Sequence, residues 1–139
     1  MPRLIVLARH SSVRQVNIAG PSATIGRAAG NHVCIDSDTV SRQHALIEWT
    51  GDRYLLADLG SRNGTYLNDE RVIGTRPLGN GDAITIGDCQ LRFLYSTTML
   101  PPAEALRLVT MPGDLHKLDA EPRRTWVRPR KRESLSLLP

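Results

Sequence analysis

The chain has 139 residues, enough for one ordinary domain and an extension. Hydrophobic residues make up 40% and charged residues 23%, which excludes wholesale disorder. The formal net charge is +4, and no apolar run approaches the length of about 18 residues that a membrane-spanning helix needs. The N-terminal apolar stretch, Leu4 to Ala8, is too short for a signal peptide and reads as a strand. Two cysteines, Cys34 and Cys89, stand far apart without a CxxC spacing and read as reduced thiols packed as small core residues. His10, His32, His44 and His116 lack metal-ligand spacing, and neither a metal nor an organic cofactor is indicated.

In chain order, residues 4–8, 15–19, 23–25, 32–35, 45–49, 54–58, 65–67, 83–86 and 90–95 are short runs rich in Val, Ile, Leu, Thr and Tyr. Gly, Asn or Asp separates most of them, so each is expected to be a strand. Many short strands without helices between them predict an all-β fold, an antiparallel β-sandwich. Residues 102–109 are a helical candidate with Pro102 in the first turn. Beyond Pro112 little fixed structure is expected.

Composition divides the chain. Ten of eleven glycines precede residue 90, and six of nine prolines follow residue 100. Ten arginines face nine acids in residues 1–95, whereas eight basic residues face five acids in residues 96–139. The expected division is a folded domain over 1–95 and a basic, proline-containing, mostly disordered extension over 96–139.

Three loop segments carry polar residues that strand alternation does not explain. They are Gly26-Arg27 with Asn31, then Ser41-Arg42-Gln43-His44, then Asp58-Leu59-Gly60-Ser61-Arg62-Asn63-Gly64-Thr65. Brought to one end of a sandwich, they offer three guanidinium groups, hydroxyls, an amide and glycine N–H groups. That donor set, with almost no free carboxylate, suits a dianion with several acceptor oxygens, a phosphate.

With Leu78-Gly79-Asn80-Gly81-Asp82 and Ile84-Thr85-Ile86-Gly87, these segments in this order resemble the forkhead-associated (FHA) domain. The resemblance covers roughly residues 18–95. It implies a β-sandwich of about eleven strands that binds phosphothreonine peptides and has no catalytic activity. It also implies roles residue by residue. Arg27 pairs with the phosphate, and the Ser41 hydroxyl hydrogen-bonds it. Arg42 and Arg62, at positions where the family varies, add contacts to phosphate or peptide. Asn63 holds the peptide backbone. Gly26, Gly64 and Thr65 shape the loops, and His44 is a buried scaffold residue. The implied preference for phosphothreonine over phosphoserine comes from a small pocket for the extra methyl. The implied partners are phosphothreonine-containing proteins, substrates of Ser/Thr kinases, met in the cytoplasm as part of signal transduction.

Other readings compete with these. The Ser41 to His44 spacing invites a nucleophile–base pair, but no GxSxG elbow, phosphate-binding Lys-Ser/Thr or paired carboxylates support an enzyme. Asp58, Asp82 and Asn80-Gly81 read as loop and turn formers, and Trp49 as packing at a strand end. Six basic residues and Trp126 between Arg123 and Arg132 offer nucleic-acid or acidic-partner binding, with the domain as scaffold. A soluble basic tail explains them more simply. Thr97, Thr98, Thr110 and Thr125 are candidate phosphothreonines for the domain's own site or a neighbour's.

Overall fold

The structure, a computed structural model, describes residues 2–8, 12–95 and 100–111. Among the described residues eleven strands form two sheets: β1 (Arg3–Leu7), β2 (Arg14–Asn17), β3 (Ser22–Gly26), β4 (Val33–Cys34), β5 (Ala45–Trp49), β6 (Tyr54–Asp58), β7 (Thr65–Leu67), β8 (Glu70–Arg71), β9 (Thr75–Leu78), β10 (Ala83–Ile86) and β11 (Cys89–Leu94). One sheet has the order β2-β1-β11-β10-β7-β8 and the other β4-β3-β5-β6-β9. Alternation sets the core between them. Ala23 and Ile25, Ala45 and Ile47, Ile84 and Ile86, and Cys89, Leu91 and Phe93 are all buried in one cluster.

The expected β-sandwich is therefore present, with two differences. β3 and β4 pair in parallel, Ile25 with Val33 and Gly26 with Cys34, whereas every other pairing is antiparallel. β8 and β9 escape local pattern. β8 is two residues long, formed by a hairpin in which Asn68 and Asp69 take φ of 49° and 71° without a glycine. β9 carries Pro77, which an edge strand tolerates because half of its backbone groups have no partner to lose. Cys89 is in the core, but Cys34 is only half-buried and its Sγ donates to Arg27 O at 3.4 Å. Trp49 is exposed at its strand end, tilted against Tyr54 with ring centroids 4.7 Å apart.

The expected helix is α1 (Pro102–Thr110), and it is part of the packed body. Leu4 and Val6 of β1 face the sandwich core, while Ile5 lies on the opposite face beneath Ala105 and Val109 of α1. The continuous apolar run of β1 thus serves two cores. A nine-residue helix is marginal alone, so packing holds it. Gln15 anchors its entry, donating to Leu100 O at 2.9 Å and accepting from Leu100 N at 3.0 Å. Arg92, fully buried, holds its exit. Its Nε donates to Leu108 O at 3.0 Å, its Nη1 to Gly81 O at 3.0 Å, and its Nη2 to Met111 O. A cation against the last carbonyls also opposes the helix dipole favourably.

The division expected after residue 95 does not bound the packed part of the described chain, because Leu100, Ala105, Leu108 and Val109 pack with Ile5, Leu7 and Leu94 on the outer face of β1 and β11. Thr110 ends α1, its hydroxyl donating to Leu106 O at 2.8 Å. Thr97, Thr98, Thr125 and the basic stretch 123–132 lie outside the described residues. Among the described residues no helix is long and apolar enough to cross a membrane.

Candidate functional site

β3 delivers Arg27 to the end of its sheet. The backbone N–H of Arg27 donates to Ser41 O at 2.9 Å and that of Ala28 to Arg42 O at 3.2 Å, so residues 27–28 lie beside 41–42. Gly26 permits this approach. A Cβ there would stand 2.2 Å from Arg42 O and 2.8 Å from Asn31 Nδ2. Asn31 then closes the loop, its Nδ2 donating to Ala28 O at 2.8 Å and Arg42 O at 2.7 Å.

His44 is buried and joins the second loop to the third. Its Nδ1 accepts from Ser41 N at 3.0 Å, so Nε2 carries the proton and donates to Gly64 O at 2.9 Å. Both ring nitrogens are occupied by backbone, which leaves His44 no base function toward Ser41.

Asp58 folds the third loop around its carboxylate. It accepts from Gly60 N and Ser61 N, both at 3.0 Å, from Ser61 Oγ at 2.5 Å and from Thr65 Oγ1 at 2.7 Å. Burial pushes the Asp58 carboxyl up, but the Ser61 and Thr65 hydroxyls and the Ser61 N–H together hold it below its ordinary value. Gly64, with φ of +84°, turns the chain into β7.

These supports bring Arg27, Ser41, Arg62 and Asn63 onto one short stretch of backbone, residues 38–41. Arg27 Nε donates to Val40 O at 3.0 Å, leaving both terminal nitrogens of an exposed guanidinium without a partner among the described residues. Arg62 N donates to Ser41 Oγ at 3.0 Å, and Arg62 Nη2 to Asp38 O at 3.3 Å. Asn63 Nδ2 donates to Thr39 O at 2.8 Å. The Ser41 oxygen is thus oriented as an acceptor and keeps its hydrogen to donate. Arg42 is exposed beside Ser41, contributing its carbonyl to the loop and leaving its guanidinium in solvent. Among the described residues none of these three arginines forms an ion pair. No group of three or more His, Cys, Asp and Glu side chains there could hold a metal ion.

Two supports were not legible beforehand. Asp88, in the β10–β11 turn, accepts at Oδ1 from Ser37 Oγ at 2.9 Å and Thr39 Oγ1 at 2.8 Å, and its N–H donates to Thr39 Oγ1 at 2.9 Å. It pins the segment whose carbonyls receive Arg27, Arg62 and Asn63. Arg71, on β8, lies over Gly64, its guanidinium carbon 3.3 Å from where a Cβ would stand. Nothing local to Gly87-Asp88 marks a partner so distant in sequence.

One end of the sandwich thus gathers the exposed guanidiniums of Arg27, Arg42 and Arg62, none in an ion pair among the described residues, beside the oriented Ser41 hydroxyl, a donor set suited to an anionic ligand. An FHA domain profile matches residues 23–87. The FhaA FHA domain, solved in complex with the intracellular domain of Rv3910, is 32% identical with a TM-score of 0.60, and the match covers 67% of this chain and 99% of that one. The chain belongs to the FHA domain family. Among curated proteins it is similar to the transcriptional regulatory protein EmbR of Mycobacterium tuberculosis, 37% identical over 86 residues that make up 62% of this chain and 22% of that protein. It is also similar to the glycogen accumulation regulator GarA of Mycolicibacterium smegmatis, 40% identical over 74 residues, 53% of this chain and 46% of the relative. The chain therefore spans less than half the length of either. A structure of EmbR from M. tuberculosis in complex with a low affinity phosphopeptide aligns with a TM-score of 0.63 at 32% identity, over 71% of this chain and 26% of that one.

Proposed function

We propose that this domain is a non-catalytic reader of phosphothreonine in partner proteins, coupling Ser/Thr kinase signalling to complex formation in the cytoplasm. The convergence of Arg27, Ser41, Arg62 and Asn63 on residues 38–41 carries the reading. A phosphate entering there meets the free Nη groups of Arg27 and the Ser41 hydroxyl. Both make charge-assisted hydrogen bonds of the stronger kind. Asn63, one position along, exchanges its bond to Thr39 O for the ligand backbone, so the peptide is held beside its phosphate. Arg42, exposed next to Ser41, adds positive potential. Binding is reversible and needs no covalent step, in keeping with the engagement of His44 by backbone at both nitrogens.

An oriented peptide library with a fixed phosphothreonine, screened beside phosphoserine and unphosphorylated versions, tests the proposal. Enrichment confined to phosphothreonine supports it. Equal retention of all three libraries contradicts it and moves attention to the basic segment 123–132.

A further inference from the structure

The Asn63-Gly64 turn carries a second cation whose charge nothing in the fold uses. Arg71 reaches from β8 onto Gly64, its Cζ and Nε each 3.3 Å and its Nη2 3.4 Å from the position of a Gly64 Cβ. Arg71 is exposed, and among the described residues it forms no ion pair or side-chain hydrogen bond. The adjacent carboxylate does not serve it: Glu70 instead accepts from Arg76 Nη2 at 3.3 Å. The Asn68-Asp69 hairpin turns β8 back along β7, Tyr66 opposite Arg71, so the Arg71 side chain runs toward the loops. Arg62 leaves the same turn the other way, toward Asp38 O. Gly64 fits twice here, by its positive φ and by the space that the guanidinium occupies.

We propose that Arg71 is a specificity-determining residue that reads a carboxylate on the ligand, an Asp or Glu near the phosphothreonine on the side that passes the Asn63-Gly64 turn. This rests on the phosphopeptide reading and deepens it. A ligand backbone held by Asn63 passes beside the Arg71 guanidinium. The acid lies on the same extended stretch of ligand, which advances about 3.3–3.6 Å per residue from the phosphothreonine. A planar guanidinium suits a carboxylate, and an exposed pair of this kind changes affinity about threefold to fivefold.

The test uses phosphothreonine peptides in an alanine background, with one Glu or one Lys at each of the four positions on either side, titrated against the full chain. Wild type prefers Glu over Lys by threefold or more at a position on one side, and the preference shrinks at high salt. Arg71→Glu reverses it at that position, which loss of packing over Gly64 does not do. Should Arg71→Glu fail to fold, Arg71→Lys retains the preference and Arg71→Gln abolishes it. Phospho-dependent binding without any Glu preference, or a preference that survives Arg71→Glu or Arg71→Gln, overturns this inference alone. Wild-type binding that ignores phosphorylation overturns the phosphopeptide reading and this inference with it.

Discussion

The backbone N–H of Arg62 donates to Ser41 Oγ at 3.0 Å, tying the loop before β7 to the loop before β5. One bond thereby sets both the orientation of the Ser41 hydroxyl and the start of the Arg62-Asn63 segment. Ser41→Ala removes the hydroxyl and leaves the Arg62 N–H to water, since Arg62 is exposed. Phosphothreonine-peptide affinity is expected to fall about tenfold or more, as for loss of a hydrogen bond to a charged group. The melting temperature shifts by only a few degrees. Calorimetric titration beside a thermal melt separates the two effects.

Gly26 is where the first two loops touch. A methyl group there meets Arg42 O at 2.2 Å, a backbone atom that moves only if the β4–β5 loop moves. Gly26→Ala is expected to destabilise by about 1–3 kcal/mol, and to weaken phosphopeptide binding by separating Arg27 from Ser41. Gly30→Ala is the matched control, because nothing lies within 4 Å of its Cβ position. Urea unfolding of both variants checks this.

Asp58 makes stability depend on pH. Its carboxyl is held below its ordinary value in the folded chain by the Ser61 and Thr65 hydrogen bonds, against the opposing push of burial. A group depressed in the folded state binds its proton more readily when unfolded, so it stabilises above the unfolded value and loses that contribution as pH falls through the folded one. Asp58→Asn is expected to cost about 1–2 kcal/mol at neutral pH. The gap from wild type narrows as pH falls below the ordinary carboxylate range. Urea unfolding of both proteins from neutral pH to about pH 3 reads it.

Arg92 joins α1 to the sandwich through the carbonyls of Leu108, Met111 and Gly81. Arg92→Met leaves those acceptors without their donor, an expected loss of about 2–4 kcal/mol. Faster hydrogen exchange is expected at Val109 and Thr110. Phosphopeptide affinity stays at the wild-type level, because α1 covers β1 and β11 rather than the loops. A fall in affinity together with faster exchange would mean that α1 supports the site.

Legibility from sequence followed the range of each interaction. β3, β5 and β10 alternate, and their edges carry turn residues, so they were readable to within a residue. The loop residues were readable because Gly26-Arg27, Ser41 to His44 and Asp58 to Thr65 occur together and in order. β8 and β9 were not, since one is two residues long and the other contains proline. Arg92 was not, because a charged residue is expected outside, and only the docked α1 supplies the carbonyls that bury it. Asp88 and Arg71 act on residues 37–39 and on Gly64 through contacts that exist only once distant strands have paired.

The central claim is that the exposed Arg27 guanidinium and the half-buried Ser41 hydroxyl take a phosphothreonine. The most direct measurement titrates wild type and Arg27→Ala with the best library peptide in phosphothreonine, phosphoserine and unphosphorylated forms. Wild type is expected to bind the phosphothreonine form, to bind the phosphoserine form about fourfold or more weakly for want of one methyl, and to ignore the unphosphorylated form. Arg27→Ala is expected to lose tenfold or more while its melting curve stays close to wild type. Equal binding of phosphorylated and unphosphorylated peptide by folded wild type, or undiminished binding by Arg27→Ala, would contradict the account.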